Sequence, residues 1–474
     1  MGITNFHIWL KSYYPDSYIQ IKNNNCYDYM YIDVNFILHN AMHGSKSFNE
    51  FLKRIHLQFD TIFSNVIATK QIYFALDGPS SYAKILLQRK RREVAGGKVT
   101  NTKINSLYIT PGIEKMKEIE DGILLYINKL KSKYKLIKPE LIISSASEPD
   151  EGEIKICHQL IKNGINNLNA KHLIVGNDSD LIVLAMGMKP IYNINILVRA
   201  HNENSLISLK ELLKLHATNI EKNAPIEDLA KSSIRDDFVL ISLMMGNDYL
   251  PKLGYLNYIR LWDTYYYVVK NINSEDNLVN EDSSFNMDMI QTLFYNLYNK
   301  LSHGQKKTTI QSYQKKRSKS YLEGLLWCLK MYQTGKCPKY DYIYLGDQSP
   351  HPYEILLYLH CETEKFNICS NTDPIPANIY PLLVMPKSAS FLIHDKYQEF
   401  VDHELKYLYE MEECTVCANY RTEIKKLYGQ EELKKQYHTT IINSTNHKKT
   451  HHKFNVDDIH KIIDLTKKIS LTKN

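Results

Sequence analysis

Apolar residues along this chain follow two spacings that take turns. Ile3, Phe6, Trp9 and Leu10 recur at a helical spacing that stops before Pro15. Residues 27–34 form a strand-like run with Asp33 near its end. Over 51–68 the residues Phe51, Leu52, Ile55, Phe59, Ile62, Phe63 and Val66 share one face, which predicts an amphipathic helix. A second strand, 71–76, runs into Asp77-Gly78-Pro79. Residues 81–93 are helical and basic, and 93–105 lacks any apolar pattern and predicts a loop. A helix over 113–130, strands over 140–144, 172–175 and 194–198, and a short helix over 154–161 complete the first half. Strands alternating with helices predict an α/β fold with a mostly parallel central sheet flanked by helices. In such sheets the site lies at the carboxyl ends of the strands, where Asp33, Asp77 and Asp178 all fall.

Beyond these elements, 236–245 predicts a buried helix ending at Gly246-Asn247-Asp248. A helix C-terminus disfavours a carboxylate, so Asp248 calls for a nearby cation. Residues 274–288 are polar and acidic and predict a linker, and 306–319 is a basic run whose 315–319 part is expected to be exposed. Helices over 321–332, 352–360 and 456–465 make the remainder an α-helical second region.

Composition narrows the class. With 474 residues, 43% apolar and 23% charged, the chain can bury a sizeable core, and its net charge of +7 suits a polyanionic partner. No apolar run reaches the roughly 20 residues that span a bilayer, and the first residues hold no signal-peptide core. A soluble intracellular protein without a membrane partner is expected, cytoplasmic with a nuclear site left open. The eight cysteines fit reduced thiols. Cys414 and Cys417 form a C-x-x-C pair with His438, His447, His451 and His452 downstream, but the spacing fits no standard zinc finger, and ordinary cysteines are the favoured reading.

The densest chemistry lies in residues 148–180. Glu151 and Glu153 open a helix, and Asp178 and Asp180 follow a strand. Such carboxylates repel one another unless a divalent cation lies between them. Phosphodiester hydrolysis needs an activated water and a stabilised leaving oxygen, which two metals about 4 Å apart supply. The candidate ligands are Asp33, Asp77, Glu151, Glu153, Asp178, Asp180 and Asp248. Any one of them taken singly is as readily a helix cap or loop anchor. Glu151 and Glu153, two residues apart, can share a site only at a first helical turn or in the loop before it. On the basic helix, Lys84, Gln88 and Arg91 share a face with Arg92 beside them, a donor set for a terminal phosphate or else a solvated face. His39 is a candidate base-stacking residue, and Trp327 reads as core.

These residues resemble the 5′→3′ exoribonuclease (XRN) family in ordered motifs. They are Gly2-Ile3-Thr4-Asn5-Phe6 with Trp9-Leu10 and Tyr14-Pro15; Tyr31-Ile32-Asp33-Val34-Asn35 with His39-Asn40; Asp77-Gly78-Pro79 with Ala83-Lys84, Gln88-Arg89 and Arg91-Arg92; and Ile109-Thr110-Pro111-Gly112. Pro149-Asp150-Glu151-Gly152-Glu153, Gly176-Asn177-Asp178-Ser179-Asp180 and Gly246-Asn247-Asp248-Tyr249-Leu250-Pro251 complete the acidic set. Tyr321-Leu322-Glu323-Gly324-Leu325-Leu326-Trp327 and Leu382-Leu383-Val384-Met385-Pro386 extend the likeness to about residue 400.

The resemblance implies a PIN/flap-endonuclease-like nuclease core over 1–255, with a helical middle and C-terminal region over 256–474. It implies two Mg²⁺ or Mn²⁺ ions on the seven carboxylates, a 5′-monophosphate held by Lys84, Gln88, Arg91 and Arg92, and His39 against the first bases. The substrate would be single-stranded RNA with a 5′-monophosphate, degraded to nucleoside 5′-monophosphates in RNA decay, with a decapping activity acting upstream. Asp150 departs from the family's glycine, the loop after Arg92 is short, and the extra domains of cellular members are not seen. A flap-endonuclease-like DNA nuclease and a silent RNA-binding scaffold remain alternatives.

Overall fold

The computed structural model describes residues 2–20, 25–96, 104–133, 139–200, 203–271, 276–310, 314–346, 348–362, 365–410 and 454–472, with 423, 433 and 436. By its internal contacts the chain divides into two units, Met1–Lys84 with Ile119–Ile375, and Ile85–Glu118 with Pro376–Asn474. Residue 255, the predicted end of the nuclease region, lies inside the first unit.

The first unit is built on a seven-stranded sheet in the order β1-β7-β6-β5-β2-β3-β4. The strands are β1 (Tyr18–Ile19), β2 (Asn25–Asp33), β3 (Val66–Ala75), β4 (Glu140–Ser144), β5 (His172–Val175), β6 (Ile194–Ala200) and β7 (Glu203–Ser208). Strands β4, β3, β2, β5 and β6 pair in parallel, and β7 and β1 add an antiparallel edge. The mostly parallel sheet predicted from the alternation is therefore present. Its central strand β5 is buried along its whole length, as a parallel strand covered on both faces must be.

Helices α1 (Phe6–Tyr13), α2 (Val34–Met42), α3 (Phe48–Asn65), α4 (Tyr82–Gly96), α5 (Glu114–Lys133), α6 (Gly152–Gly164) and α7 (Asp180–Gly187) precede or connect the strands. After β7 come α8 (Leu209–Asn219), α9 (Ile226–Lys231) and α10 (Ile234–Leu243). Arg235 of α10 is fully buried and donates to the carbonyls of Ala185 and Met186 at the end of α7, at 2.7 and 2.8 Å. The Met186 carbonyl would otherwise be orphaned at a buried helix end, while that of Ala185 also accepts from the Met188 amide. The bond locks α10 to α7 and so fixes where Asp248 emerges. The helical part continues with α11 (Tyr258–Asn271), α12 (Met287–Asn299), α13 (His303–Ile310), α14 (Lys315–Thr334) and α15 (Pro352–Cys361). Trp9 of α1 stacks on Trp262 of α11 with ring centres 4.6 Å apart.

Four local expectations change. Residues 66–68, read as the end of a helix, begin β3, because pairing of Val66, Ile67 and Ala68 with Asn25, Cys26 and Tyr27 outweighs the helical spacing. The antiparallel strands β1 and β7 carry too little apolar pattern to be foreseen. In the predicted acidic linker, Leu278, Val279 and Phe285 are buried, and the amides of Leu278 and Val279 both donate to Asp237 at 3.1 Å. Burial pushes the Asp237 carboxyl up to about 7 despite those two bonds. The basic run is not wholly exposed, since Arg317 and Ser318 are buried in α14.

In the second unit, α4 runs on to Gly96, past the predicted end at 93. Arg89 is buried and donates to the carbonyls of Leu383 and Leu408 at 3.1 and 3.0 Å. Phe454 lies under its guanidinium, 4.6 Å from ring centre to Cζ. Cys414, Cys417, His438, His447, His451 and His452, like 97–103 of the predicted loop, lie outside the described residues. Among the described residues no helix is long and apolar enough to cross a membrane.

Candidate active site

Parallel pairing brings the carboxyl ends of four strands into line: Asp33 is opposite Ala75, Ile32 opposite Val175, and Ala75 opposite Ser144. Each strand end then contributes acids. Asp33 is the last residue of β2, and Asp77 lies two past β3. Glu151 is the N-cap of α6 and Glu153 sits in its first turn, the one arrangement in which residues two apart share a site. Asp178 follows β5 and Asp180 opens α7. Asp248 follows α10 and is the one acid not placed by the sheet.

Short hydrogen bonds orient the group. Asp33 caps α2, accepting from the amides of Asn35 and Phe36 at 3.0 and 3.3 Å. Asp33 is thus a helix cap as well as a member of the cluster. Asp77 accepts from the Gly152 amide at 2.7 Å, and its own amide donates to Asn35 Oδ1 at 3.1 Å. A Cβ at Gly152 would stand 3.2 Å from both Ala75 O and Asp77 Oδ1, tighter than most such contacts, so a larger residue would push against β3 and the Asp77 carboxylate. The Tyr249 hydroxyl donates to Glu151 Oε2 at 2.5 Å.

The electrostatics tie all seven carboxylates together. Burial pushes Asp33 up to about 7, with Asp77 and Asp178 adding to it. Burial raises Glu153 well above its ordinary range, reinforced by Asp178 and Asp180 and opposed by Lys84. Asp180 is likewise raised by burial and then by Asp178 and Asp248, although it opens a helix and accepts from the Ile3 amide at 3.0 Å. Glu151 is raised by burial and held back by Lys84.

The Lys84 ammonium stands among them. It pairs with Glu151 and, at 2.9 Å, with Asp248, and lies 5.6 Å from the Tyr249 ring centre. Burial alone would lower its pKa, but Glu151, Asp248, Glu153 and Asp77 raise it well above the usual lysine value. Lys84, to which the resemblance gives a phosphate-binding role, stands in this structure as a counter-ion of the acidic cluster. One lysine against seven carboxylates leaves a large negative excess in a buried site, and hard divalent cations on oxygen donors are the chemistry that suits it. The carboxylates are oriented by their protein partners. Among the described residues no three His, Cys, Asp or Glu side chains form a ready coordination group as they stand.

The other predicted residues fall as follows. His39 is exposed on α2, six residues after Asp33. In the second unit, Arg92 is buried, donating to Thr110 Oγ1 at 2.9 Å and to Gln88 Oε1 at 2.5 Å, and Arg91 is half-buried. Asp150 has its carboxyl hydrogen-bonded to Tyr340, and Lys155 is the charge that acts on it. Its φ of 75° is the left-handed conformation in which a glycine would be at ease.

Sequence reasoning missed the clamp formed by the N-terminal segment. Besides the Ile3–Asp180 bond, Ser179 Oγ donates to Ile3 O at 3.2 Å. Gly2 has φ 51°, and a Cβ there would collide with Asp178 Oδ1 and Ser179 Oγ. The Gly-Ile pair was visible as part of a motif, but nothing in its spacing pointed 176 residues ahead. Because the colliding atoms are side-chain ends, Gly2→Ala should fold with Asp178 displaced. Its Mn²⁺ affinity, measured by calorimetry, is expected to fall about 10-fold or more, and an unchanged affinity would refute the clamp.

Comparison with known proteins agrees with the motifs. The model of the XRN 5′-3′ exonuclease N-terminus matches residues 1–96 and 93–199. The 5′-3′ exoribonuclease 1 of Schizosaccharomyces pombe is 26% identical over 348 residues, covering 63% of this chain and 26% of that protein. The enzyme of the same name from Saccharomyces cerevisiae is 27% identical over 296 residues, covering 53% of this chain and 19% of that protein. The chain thus matches about a quarter or less of the length of these relatives. Among solved structures, the catalytic core of Rad2 in complex with DNA substrate overlays 81% of this chain and 99% of its own, at 12% identity and a TM-score of 0.39. Over residues 1–199 the chain is similar to the XRN 5′-3′ exonuclease N-terminus.

Proposed function

We propose that the protein is a metal-dependent 5′→3′ exoribonuclease acting on single-stranded RNA with a 5′-monophosphate. The observation that carries this reading is the gathering of six acids at one end of the parallel sheet with Asp248 joined to them through Lys84, in a region similar to this family. Asp33, Asp77, Glu151, Glu153, Asp178, Asp180 and Asp248 would hold two Mg²⁺ or Mn²⁺ ions. Bound there, the ions would supply an activated water and charge stabilisation at the leaving oxygen. The protein's own part is to aim the carboxylates, through the amides of Asn35, Gly152 and Ile3. Lys84 would pass its ammonium from the carboxylates to a phosphate oxygen of the substrate. Gln88, Arg91 and Arg92 would recognise the 5′-monophosphate, and His39 would stack on a base near the 5′ end.

A panel of 5′-phosphate RNA, 5′-triphosphate RNA and flapped DNA, read by product size with Mn²⁺, tests the reading. Mononucleotides released from 5′-phosphate RNA alone are expected, and a preference for the flapped DNA would replace it with a flap-type nuclease. Arg91→Ala is expected to remove most of the preference for a 5′-phosphate over a 5′-hydroxyl end, about 10-fold or more for one charge-assisted contact. An unchanged ratio would take Arg91 out of the phosphate site.

A further inference from the structure

One polar group in the acidic cluster has no part in the metal-and-phosphate scheme: the Tyr249 hydroxyl. It is fully engaged, donating to Glu151 Oε2 at 2.5 Å while Lys84 holds the other oxygen, Oε1. The same Lys84 ammonium pairs with Asp248, the residue next to Tyr249. Glu151 is the N-cap of α6 but caps nothing with its side chain. Among the described residues, Tyr249 and Lys84 are the partners of its carboxylate.

The tyrosine is in turn held from behind. Its ring meets Trp327 of α14 edge to face, with centroids 5.2 Å apart and planes at 79°. Trp327 is fully buried, stacks on Tyr342 at 4.8 Å, and donates from Nε1 to Lys339 O at 2.9 Å. The start of the turn carrying Tyr249 is fixed as well, since Asn247 Oδ1 accepts from the amides of Tyr249 and Leu250 at 2.9 and 2.8 Å. An unbroken line of contacts therefore runs from the middle of α14 through two rings to one carboxylate of the cluster. All of these residues belong to the first unit.

We propose that Tyr249 is a positioning residue through which Trp327 of the helical region fixes the orientation of Glu151 for divalent-metal binding. The role rests on the reading of the acidic cluster as a metal centre. Glutamate has three side-chain torsions, and a ligand free to rotate loses that entropy each time a cation binds. A neutral phenol on one oxygen removes the freedom beforehand without adding a charge that would compete with the cation. Outer partners of this kind are worth about 10- to 100-fold in metal affinity.

The test is Mn²⁺ binding by calorimetry on the full chain without RNA, comparing wild type, Tyr249→Phe, Glu151→Gln and the double variant. Tyr249→Phe keeps the ring against Trp327 and loses only the hydroxyl, so the fold is expected to persist. Its Mn²⁺ affinity should fall about 10-fold. In the Glu151→Gln background the same change should have no further effect, which a general loosening of the site would not produce. Trp327→Phe, which keeps a ring but changes its edge, should give a smaller loss in the same direction. Equal affinity of wild type and Tyr249→Phe, or an equal drop with and without Glu151, overturns the proposal whatever the nuclease assay reads. If the affinity difference appears but wild type releases no mononucleotides, the positioning role stands and the exoribonuclease reading falls.

Discussion

Asp180→Asn should do two opposite things at once: abolish cleavage and raise the melting temperature of the metal-free protein. The first follows from losing one anionic oxygen donor of a crowded set, with an expected fall of about a thousandfold or more in mononucleotide release. The second follows from the crowding itself. Burial, Asp178 and Asp248 lift the Asp180 carboxyl well above its ordinary range. A carboxyl whose pKa is raised in the folded state favours folding at low pH, and that contribution is lost as pH rises through the folded value. Without metal, the cluster should therefore lose stability from weakly acidic to alkaline pH. The neutral amide in the D180N variant escapes this loss. It also keeps an oxygen for the Ile3 amide, which in the wild type donates to Asp180 Oδ1 at 3.0 Å. Melting in EDTA at pH 6 and pH 8 checks the sign. Wild type should lose more than the variant between the two, and Mn²⁺ should restore wild type alone. If the variant melts below wild type at pH 8 in EDTA, the electrostatic account is wrong. Asp178→Asn is expected to share the loss of cleavage, and both variants should still retain RNA on a filter.

The largest effect on stability is expected far from the acids, at Glu354→Gln. Arg317 of α14 and Glu354 of α15 form a two-pronged pair, Nε to Oε2 at 3.0 Å and Nη2 to Oε1 at 2.5 Å, with side chains 4% and 0% exposed. Removing one charge leaves the other buried without its counter-ion, at a cost of about 3–5 kcal/mol. Urea unfolding measures it. Replacing both, Arg317→Met with Glu354→Leu, should recover most of that loss, because the pair's attraction is largely offset by its desolvation. A double variant as unstable as the single one would show that the geometry of the fork itself carries the stability. Since α14 also bears Trp327, the single variant is a second, indirect way to loosen the contact on Tyr249.

The sequence reached far into this fold because its information is local. Periodicity placed β4 and β5 to the residue, and the acids at strand ends followed from the way parallel strands must line up. It failed where local signal and tertiary pairing disagree. The helical face of 51–66 ran on into residues that β2 claims for the sheet, and β7, a largely polar strand between β6 and the two-residue β1, offered no pattern to find. The supposed linker was polar on average, yet its Leu278 and Val279 amides end on Asp237, a partner 41 and 42 residues earlier that composition cannot reveal.

By itself, then, the sequence determined that acids of one kind would gather at one end of a parallel sheet, since strand direction and residue type suffice for that. Only the tertiary structure decided how the acids are held. It turned Asp150 toward Tyr340, drew Lys84 into the acidic cluster, folded Gly2 and Ile3 onto Asp178 and Asp180, and set Tyr249 against Glu151. Each of those is a contact between residues distant in the chain. Such contacts are fixed by which helices pack together, and a periodic pattern says that a face is buried without saying against what.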